Sequence, residues 1–190
     1  MHQWYNESMK NAVILHGTDE TPKYMWLPWI KKELEKKGYS VSIPQLPQAD
    51  HPMLENWLPV ALKETYTEET ILLGHSAGGP LQLSVLENIT TRIKQAILVA
   101  GYARVKGDEK EADPIVQKSY KWEKIANHVE NIIFINSDND PWGCDDKEGR
   151  YMLDNVGKGT LIIPKGEGHM GSERFNQQYN EFPLLLKLID

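Results

Sequence analysis

Apolar residues in this chain occur in short unbroken runs that are separated by longer amphipathic segments. Unbroken runs are typical of buried parallel strands, and amphipathic segments are typical of helices that cover a sheet. The pattern predicts strands over residues 11–16, 39–43, 70–73, 95–100, 131–135 and 160–163. It predicts helices over residues 28–37, 52–66, 77–89, 122–128, 145–155 and 175–189, with Pro59 kinking the second helix near Glu55.

The alternation of strands and helices predicts an α/β fold, with about six parallel strands and helices on both faces of the sheet. A length of 190 residues fits a single domain and leaves no room for a large cap. We expect ligands to bind at the carboxyl ends of the strands. Residues 1–10 are polar and predict a loose lead-in, and residues 101–120 predict an irregular connection.

The third strand runs into Gly74-His75-Ser76-Ala77-Gly78, a Gly-x-Ser-x-Gly sequence that is followed by a helical segment. A serine between strand and helix in this pattern is typical of a nucleophile elbow, where a strained turn lifts the hydroxyl clear of the sheet. The flanking glycines avoid crowding in such a turn, and His75 is expected to be a packing residue. The Ala77 amide would then lie at a helix N-terminus and bind an oxyanion. The alternative is a glycine-rich turn with a solvated serine.

A second oxyanion amide is expected in the loop after the first strand, which begins His16-Gly17-Thr18-Asp19. Hydrolases with a nucleophile elbow place their second donor in this loop. We assign the donor to Thr18, with Asp19 as the alternative. An ordinary strand-to-helix loop would also explain these residues.

A nucleophilic serine needs a histidine base and an acid that orients the imidazole. In this class of fold the chain order is serine, acid, histidine. Only His128 and His169 follow Ser76, and only His169 also follows the acidic residues after the fifth strand. Its glycine-rich loop can present an imidazole over the edge of the sheet, although a solvent-exposed loop histidine is the alternative.

Two aspartates after the fifth strand are candidates for the acid. Asp140 precedes Pro141, which favours an extended aspartate, whereas Asp138 is expected to cap its own turn. We therefore assign the acid to Asp140. Asp145 and Asp146 are expected to be the N-cap and first turn of the next helix.

Composition narrows the remaining possibilities. Cys144 is the only cysteine, so an intrachain disulfide and a cysteine-based zinc site are excluded. As a nucleophile Cys144 lacks partners in motif spacing, so we expect a structural thiol. A net charge of -6 argues against non-specific nucleic-acid binding. We expect no cofactor, no metal and no membrane span. The N-terminus lacks signal-peptide features, so we expect a cytoplasmic protein.

Several stretches resemble a family of small serine hydrolases that includes the animal retinoblastoma-binding serine hydrolase and its bacterial esterase-like relatives. The resemblance rests on the elbow, Asp140-Pro141, Gly168-His169, and the segments 29–35, 57–59 and 122–125. It covers the chain from about Val13 to the C-terminus, a range typical of one whole domain. It implies a compact α/β-hydrolase, in which the strands would take the order 2-1-3-4-5-6 of a minimal hydrolase. It also implies Ser76, Asp140 and His169 as the triad, which agrees with the interpretation made from the residues.

The animal protein's Leu-x-Cys-x-Glu motif is absent, because Cys144 lies in Trp142-Gly143-Cys144-Asp145-Asp146. Binding to the retinoblastoma protein is therefore not expected. We predict instead a serine hydrolase that acts on small-molecule carboxylic esters. The alternatives are an amide or peptide hydrolase with the same triad, and a hydrolase-fold binding protein with little turnover.

Four side chains near strand ends or near residues 101–120 are candidates for the walls of the substrate pocket, although core packing would explain them equally well. They are His16, Tyr102, Trp122 and Trp142.

Overall fold

The computed structural model describes residues 10–106 and 109–189. Most of the predicted lead-in, residues 1–9, lies outside the described residues. The strands are β1 (Asn11–Leu15), β2 (Ser40–Ser42), β3 (Ile71–His75), β4 (Ile93–Val99), β5 (Val129–Ile135) and β6 (Thr160–Ile162). The helices are α1 (Leu27–Lys36), α2 (Leu54–Ala61), α3 (Gly78–Asn88), α4 (Trp122–Asn127), α5 (Asp146–Val156) and α6 (Pro183–Lys187).

The strands form one six-stranded sheet in the order β2-β1-β3-β4-β5-β6, and every neighbouring pair is parallel. The predicted α/β class and strand order are confirmed. The chain moves one way from β1 to β2 and the other way afterwards, so right-handed crossovers put α1 and the helices α2 to α5 on opposite faces. Helix α6 packs against α1, which gives the sheet a cover on both sides.

The central strand β3 is longer than the sequence pattern predicts. Gly74 and His75 continue the ladder, in register with Leu98 and Val99 of β4. All five residues of β3 are buried. The residue that follows, Ser76, therefore leaves the sheet at its carboxyl edge, where the strand order reverses.

Helix α2 is shorter than the predicted range of 52–66. Met53 has extended backbone angles and precedes the first helical residue. Pro59 lies inside the helix and removes one internal hydrogen bond. The Tyr66 hydroxyl donates to the Ala61 carbonyl at 2.9 Å, which satisfies an acceptor at the helix end.

The helix predicted over 175–189 is wrong in its first half. Ser172 and Gln177 form an antiparallel bridge there, and the helix begins only at Pro183. Proline suits the first helical turn, so Pro183 is a natural start. The segment before Pro183 contains Gln177, which contacts the candidate active site described below. Among the described residues, no helix is long and apolar enough to cross a bilayer.

Candidate active site

Ser76 lies in the sharp turn between β3 and α3, as the sequence predicts. Its φ is 51°, in the left-handed region that side chains other than glycine rarely adopt. Its amide donates to the Val99 carbonyl at 2.9 Å, and its own carbonyl accepts from the Gly79 amide at 2.8 Å. These two bonds hold the strained turn. Ser76 is partly exposed, whereas its neighbours His75 and Ala77 are buried.

The glycines of the elbow are required for close packing. A Cβ on Gly74 would lie 2.6 Å from the Gly78 carbonyl oxygen. A Cβ on Gly78 would lie 2.3 Å from the Leu15 carbonyl oxygen. The second contact differs from the expected crowding near the serine, because Gly78 instead allows α3 to approach the end of β1.

The loop after β1 lies directly against the serine. A Cβ on Gly17 would lie 2.8 Å from Cβ of Ser76, so only glycine permits this approach. The Asp19 amide donates to the Ala49 carbonyl at 2.8 Å and is already occupied. Within the described residues, the amides of Thr18 and Ala77 donate to no acceptor. This arrangement favours Thr18 over Asp19 as the second oxyanion donor.

Asp140 and His169 form a buried hydrogen-bonded pair. Oδ2 of Asp140 lies 2.7 Å from Nδ1 of His169, and Oδ1 accepts from the Trp142 amide at 2.8 Å. Asp138, the other acid considered, accepts from the Gly166 amide at 2.8 Å and supports the histidine loop instead. The structure therefore brings Asp140, rather than Asp138, to the imidazole.

Two side chains that the sequence analysis missed hold the backbone around His169. Oε1 of Gln177 accepts from the His169 amide at 2.9 Å. Oδ1 of Asn139 accepts from the Gly168 amide at 2.8 Å and from the Ser137 hydroxyl at 2.7 Å. Neither residue belongs to a recognisable motif. The segment predicted to be a helix around Gln177 is used to fix this loop.

The His169 imidazole is poised to accept a proton. Burial lowers its pKa, and the nearby charge of His75 lowers it further, although the hydrogen bond that His169 donates to Asp140 opposes both effects. Nδ1 donates to the carboxylate, which leaves the lone pair on Nε2. In the described part of the chain, neither Nε2 of His169 nor the Ser76 hydroxyl is hydrogen-bonded.

His75 makes polar contacts that the sequence did not suggest. Its Nδ1 lies 2.6 Å from Oε1 of Glu20, and its Nε2 donates to the His169 carbonyl at 3.0 Å. The second bond places the His169 backbone beside the residue that precedes Ser76. Burial would lower the pKa of His75, but the Glu20 carboxylate, the His169 carbonyl and the charge of Asp140 together outweigh burial and raise it.

Two of the four pocket candidates are buried in the core, which differs from the expectation. His16 is 0 % exposed, with Nδ1 donating to the Gly17 carbonyl and Nε2 accepting from the Leu46 amide, both at 3.0 Å. Tyr102 is 2 % exposed, and its hydroxyl donates to Asp113 at 2.6 Å. Neither side chain offers surface to a substrate in this structure.

The other two candidates lie at different places. Trp122 lines a cavity of about 340 Å³ together with Tyr120 and Tyr151. Trp142 is 36 % exposed, and its ring centre lies 6.4 Å from that of His169. Phe175 packs edge-on against Trp142 at 5.2 Å. Trp142 is therefore the pocket candidate next to the Asp140–His169 pair.

The donor atoms of Asp140, Cys144 and His169 lie within 4.8 Å of one another, which raises the question of a metal. Burial raises the pKa of the Cys144 thiol, which disfavours the thiolate that a metal would need. Asp140 and His169 already use one ligand atom each to bond to each other. The set suits a hydrogen-bonded pair beside a structural thiol better than a metal centre.

Known proteins resemble this chain over most of its length. A family model described as serine hydrolase matches residues 12–190. YdeN of Bacillus subtilis (strain 168), which has a provisional hydrolase name, is 32% identical over 135 residues, or 69% of this chain and 71% of that protein.

Solved structures extend the comparison to the fold. The YdeN crystal structure has a TM-score of 0.85 at 25% identity and covers 94% of this chain and 96% of its own. Est1E of Butyrivibrio proteoclasticus, solved with ferulic acid, has a TM-score of 0.67 at 12% identity and covers 97% of this chain and 89% of its own. The second likeness concerns the fold alone.

Proposed function

The chain belongs to the serine hydrolase family, and we propose that it cleaves small carboxylic esters through an acyl-enzyme formed on Ser76. The observation that carries the proposal is the buried Asp140–His169 hydrogen bond of 2.7 Å, held beside a strained serine turn. From this combination we infer a nucleophile in Ser76, a base in His169 and an orienting acid in Asp140.

In the proposed reaction, Nε2 of His169 takes the proton from the Ser76 hydroxyl as its oxygen attacks the ester carbonyl. Asp140 accepts the hydrogen bond from Nδ1–H of His169 and stabilises the imidazolium that forms. The amides of Ala77 and Thr18 donate to the oxyanion. The imidazolium then protonates the leaving alkoxide, and the acyl group remains on Ser76. Water attacks the acyl-enzyme with His169 as the base, which releases the acid and restores the enzyme.

The surroundings of the proposed triad favour small and aromatic esters. The described residues form no cap domain over the sheet edge, so the site lacks a long enclosed channel. Trp142 and Phe175 are 36 % and 43 % exposed and together form an aromatic surface beside His169. Est1E has been solved with ferulic acid bound, which makes aryl esters a sensible part of the first substrate panel.

The same triad chemistry would also cleave amides, so amide hydrolysis is the alternative. A p-nitrophenyl ester and the p-nitroanilide of the same acid separate the two. We expect turnover of the ester and little turnover of the anilide, because resonance stabilises an amide carbonyl and makes it a poorer target for the serine oxygen than an ester carbonyl. Comparable kcat/KM values for the ester and the anilide would favour amide hydrolysis.

The decisive test is labelling with a fluorophosphonate, which reacts with activated serines. We expect mass spectrometry to place the adduct on Ser76 and Ser76→Ala to abolish both labelling and ester hydrolysis. Ser40→Ala is the matched control, because Ser40 is exposed at the amino end of the edge strand β2. Folded wild-type protein that takes up no label would contradict the proposal.

A further inference from the structure

Glu20 and His75 form a buried ionisable pair that the proposed reaction does not use. Their side chains are 4% and 1% exposed, and the atoms Oε1 and Nδ1 lie 2.6 Å apart. Burying such a pair is costly, and replacing it by apolar residues is often neutral or stabilising in other proteins. Packing alone therefore does not explain a buried ionisable pair at this position.

The pair joins three loops that meet at the site. Oε2 of Glu20 accepts from the Gly17 amide at 2.7 Å, which anchors the loop carrying Thr18. Nε2 of His75 donates to the His169 carbonyl at 3.0 Å, which anchors the loop carrying the proposed base. His75 itself directly precedes Ser76. One network thus connects the backbone on both sides of the serine.

The network also contains a charge. A carbonyl can only accept, so Nε2 of His75 carries a proton, while Nδ1 faces the Glu20 carboxylate. The centre of the Trp26 ring lies 5.6 Å from that of the His75 ring, and the indole offers no acceptor. Asp140 and His169 also act on His75, and the imidazole centre of His169 lies 5.0 Å from that of His75.

We propose that Glu20 and His75 are positioning residues: they hold the Thr18 amide and the His169 imidazole around Ser76, and the His75 charge keeps His169 neutral. The inference rests on the proposed function, since it concerns how that reaction's groups are placed. A purely structural pair would contribute to stability alone, so the tests below measure quantities that stability does not move.

The first test replaces the charge while keeping a donor toward His169. In His75→Gln, the amide nitrogen takes over the role of Nε2, but the positive charge is lost and Glu20 remains negative. With the cation gone and the Glu20 anion still present, protonation of His169 becomes easier and its pKa rises. We therefore expect the acid limb of the kcat/KM profile to move up by about one pH unit. An unmoved acid limb in folded His75→Gln would overturn the electrostatic role.

The second test separates hydrogen bonds from charge. Glu20→Gln can still accept from the Gly17 amide and donate to a neutral His75, so we expect kcat within about threefold of wild type. Glu20→Ala releases the loop, and we expect kcat to fall about 10- to 100-fold. Equal kcat values in the two variants would overturn the positioning role.

His128→Gln is the matched control, because that partly buried imidazole bonds to the Leu86 carbonyl at the amino end of β5. It should keep both kcat and the acid limb. If the Glu20 or His75 variants fail to fold, nitrogen NMR of wild type decides. Two protonated ring nitrogens on His75 at pH 6.5 support the proposal, and one overturns it.

The outcomes also separate this inference from the function it rests on. Wild-type protein that is not labelled on Ser76 overturns the proposed function itself, because that experiment alters neither Glu20 nor His75. Wild-type protein that is labelled, together with variants of unchanged kcat and acid limb, overturns the positioning role alone.

Discussion

Two histidine–carboxylate pairs lie side by side in this molecule and behave in opposite ways. Nδ1 of His75 lies 2.6 Å from Glu20, and Nδ1 of His169 lies 2.7 Å from Asp140. All four side chains are buried, and the two imidazole centres are 5.0 Å apart. Nevertheless the pKa of His75 is raised and that of His169 is lowered.

The second nitrogen of each ring accounts for much of the difference. Nε2 of His75 donates to a backbone carbonyl, so both of its nitrogens face acceptors and the charged form is favoured. Among the described residues, Nε2 of His169 has no hydrogen-bond partner, and the cation beside it disfavours a second charge. Histidine thus supplies a cation at position 75 and a neutral proton acceptor at position 169.

The largest expected effect comes from replacing the proposed base. His169→Gln should lower kcat/KM for an ester by about 10⁴- to 10⁶-fold, because no other group in the proposed site takes the serine proton. His75→Gln should cost no more than about 100-fold at pH 8, where wild-type and variant His169 are both neutral. Steady-state kinetics on the two folded proteins measures this gap, and equal losses would erase the distinction between the rings.

The next effect concerns the two aspartates after β5. Asp140→Asn should lower kcat by about 10⁴-fold, since an amide stabilises the wrong tautomer of His169. Asp138→Asn should stay within about tenfold of wild type, because the amide oxygen can still accept from the Gly166 amide. The assay is ester hydrolysis at pH 8. A larger loss in Asp138→Asn would point to the other aspartate.

Stability should respond more to the charged pair than to the nucleophile. His75→Ala leaves the buried Glu20 carboxylate without its partner, which should cost about 3–5 kcal/mol in the free energy of unfolding. Ser76→Ala removes only a hydroxyl that has no hydrogen bond to the described residues, so its change should stay below about 1 kcal/mol. Urea unfolding at pH 6 measures both, and equal changes would contradict the pairing.

The loss of stability in His75→Ala should also depend on pH. The folded pKa of His75 is raised above 6.5, so its protonation stabilises the fold fully below pH 6.5. That contribution is lost as the pH rises through the folded value. The difference in unfolding free energy between wild type and His75→Ala should therefore narrow from pH 6.5 upwards. A difference that grows over this range would show that His75 is neutral in the fold.

The smallest effect is the position of the wild-type acid limb. Burial and the His75 charge lower the pKa of His169 below 6.5, so its neutral form dominates at pH 6.5. Wild-type kcat/KM at pH 6.5 should therefore exceed half of its plateau and decline only at lower pH. A midpoint above pH 6.5 would mean that the His75 charge does not lower the pKa of His169 as proposed.

Local sequence patterns determined much of this protein. The alternation of apolar runs and amphipathic segments predicted the parallel sheet, because each strand and helix buries its own apolar face. The resemblance to small hydrolases supplied the strand order. The elbow glycines predicted the turn at Ser76, and Asp145 was predicted to cap α5, where it accepts from the Lys147 amide. These features depend on residues within a few positions of one another.

Only the tertiary structure decided which polar side chains meet. Glu20 and His75 are 55 positions apart, and Asn139 and Gly168 are 29 positions apart. The segment around Gln177 forms a bridge and binds the His169 amide, although its own pattern favours a helix. A buried amide or carboxylate must find a partner wherever the folded chain supplies one. That choice depends on how distant loops close over the sheet edge, which no short stretch of sequence records.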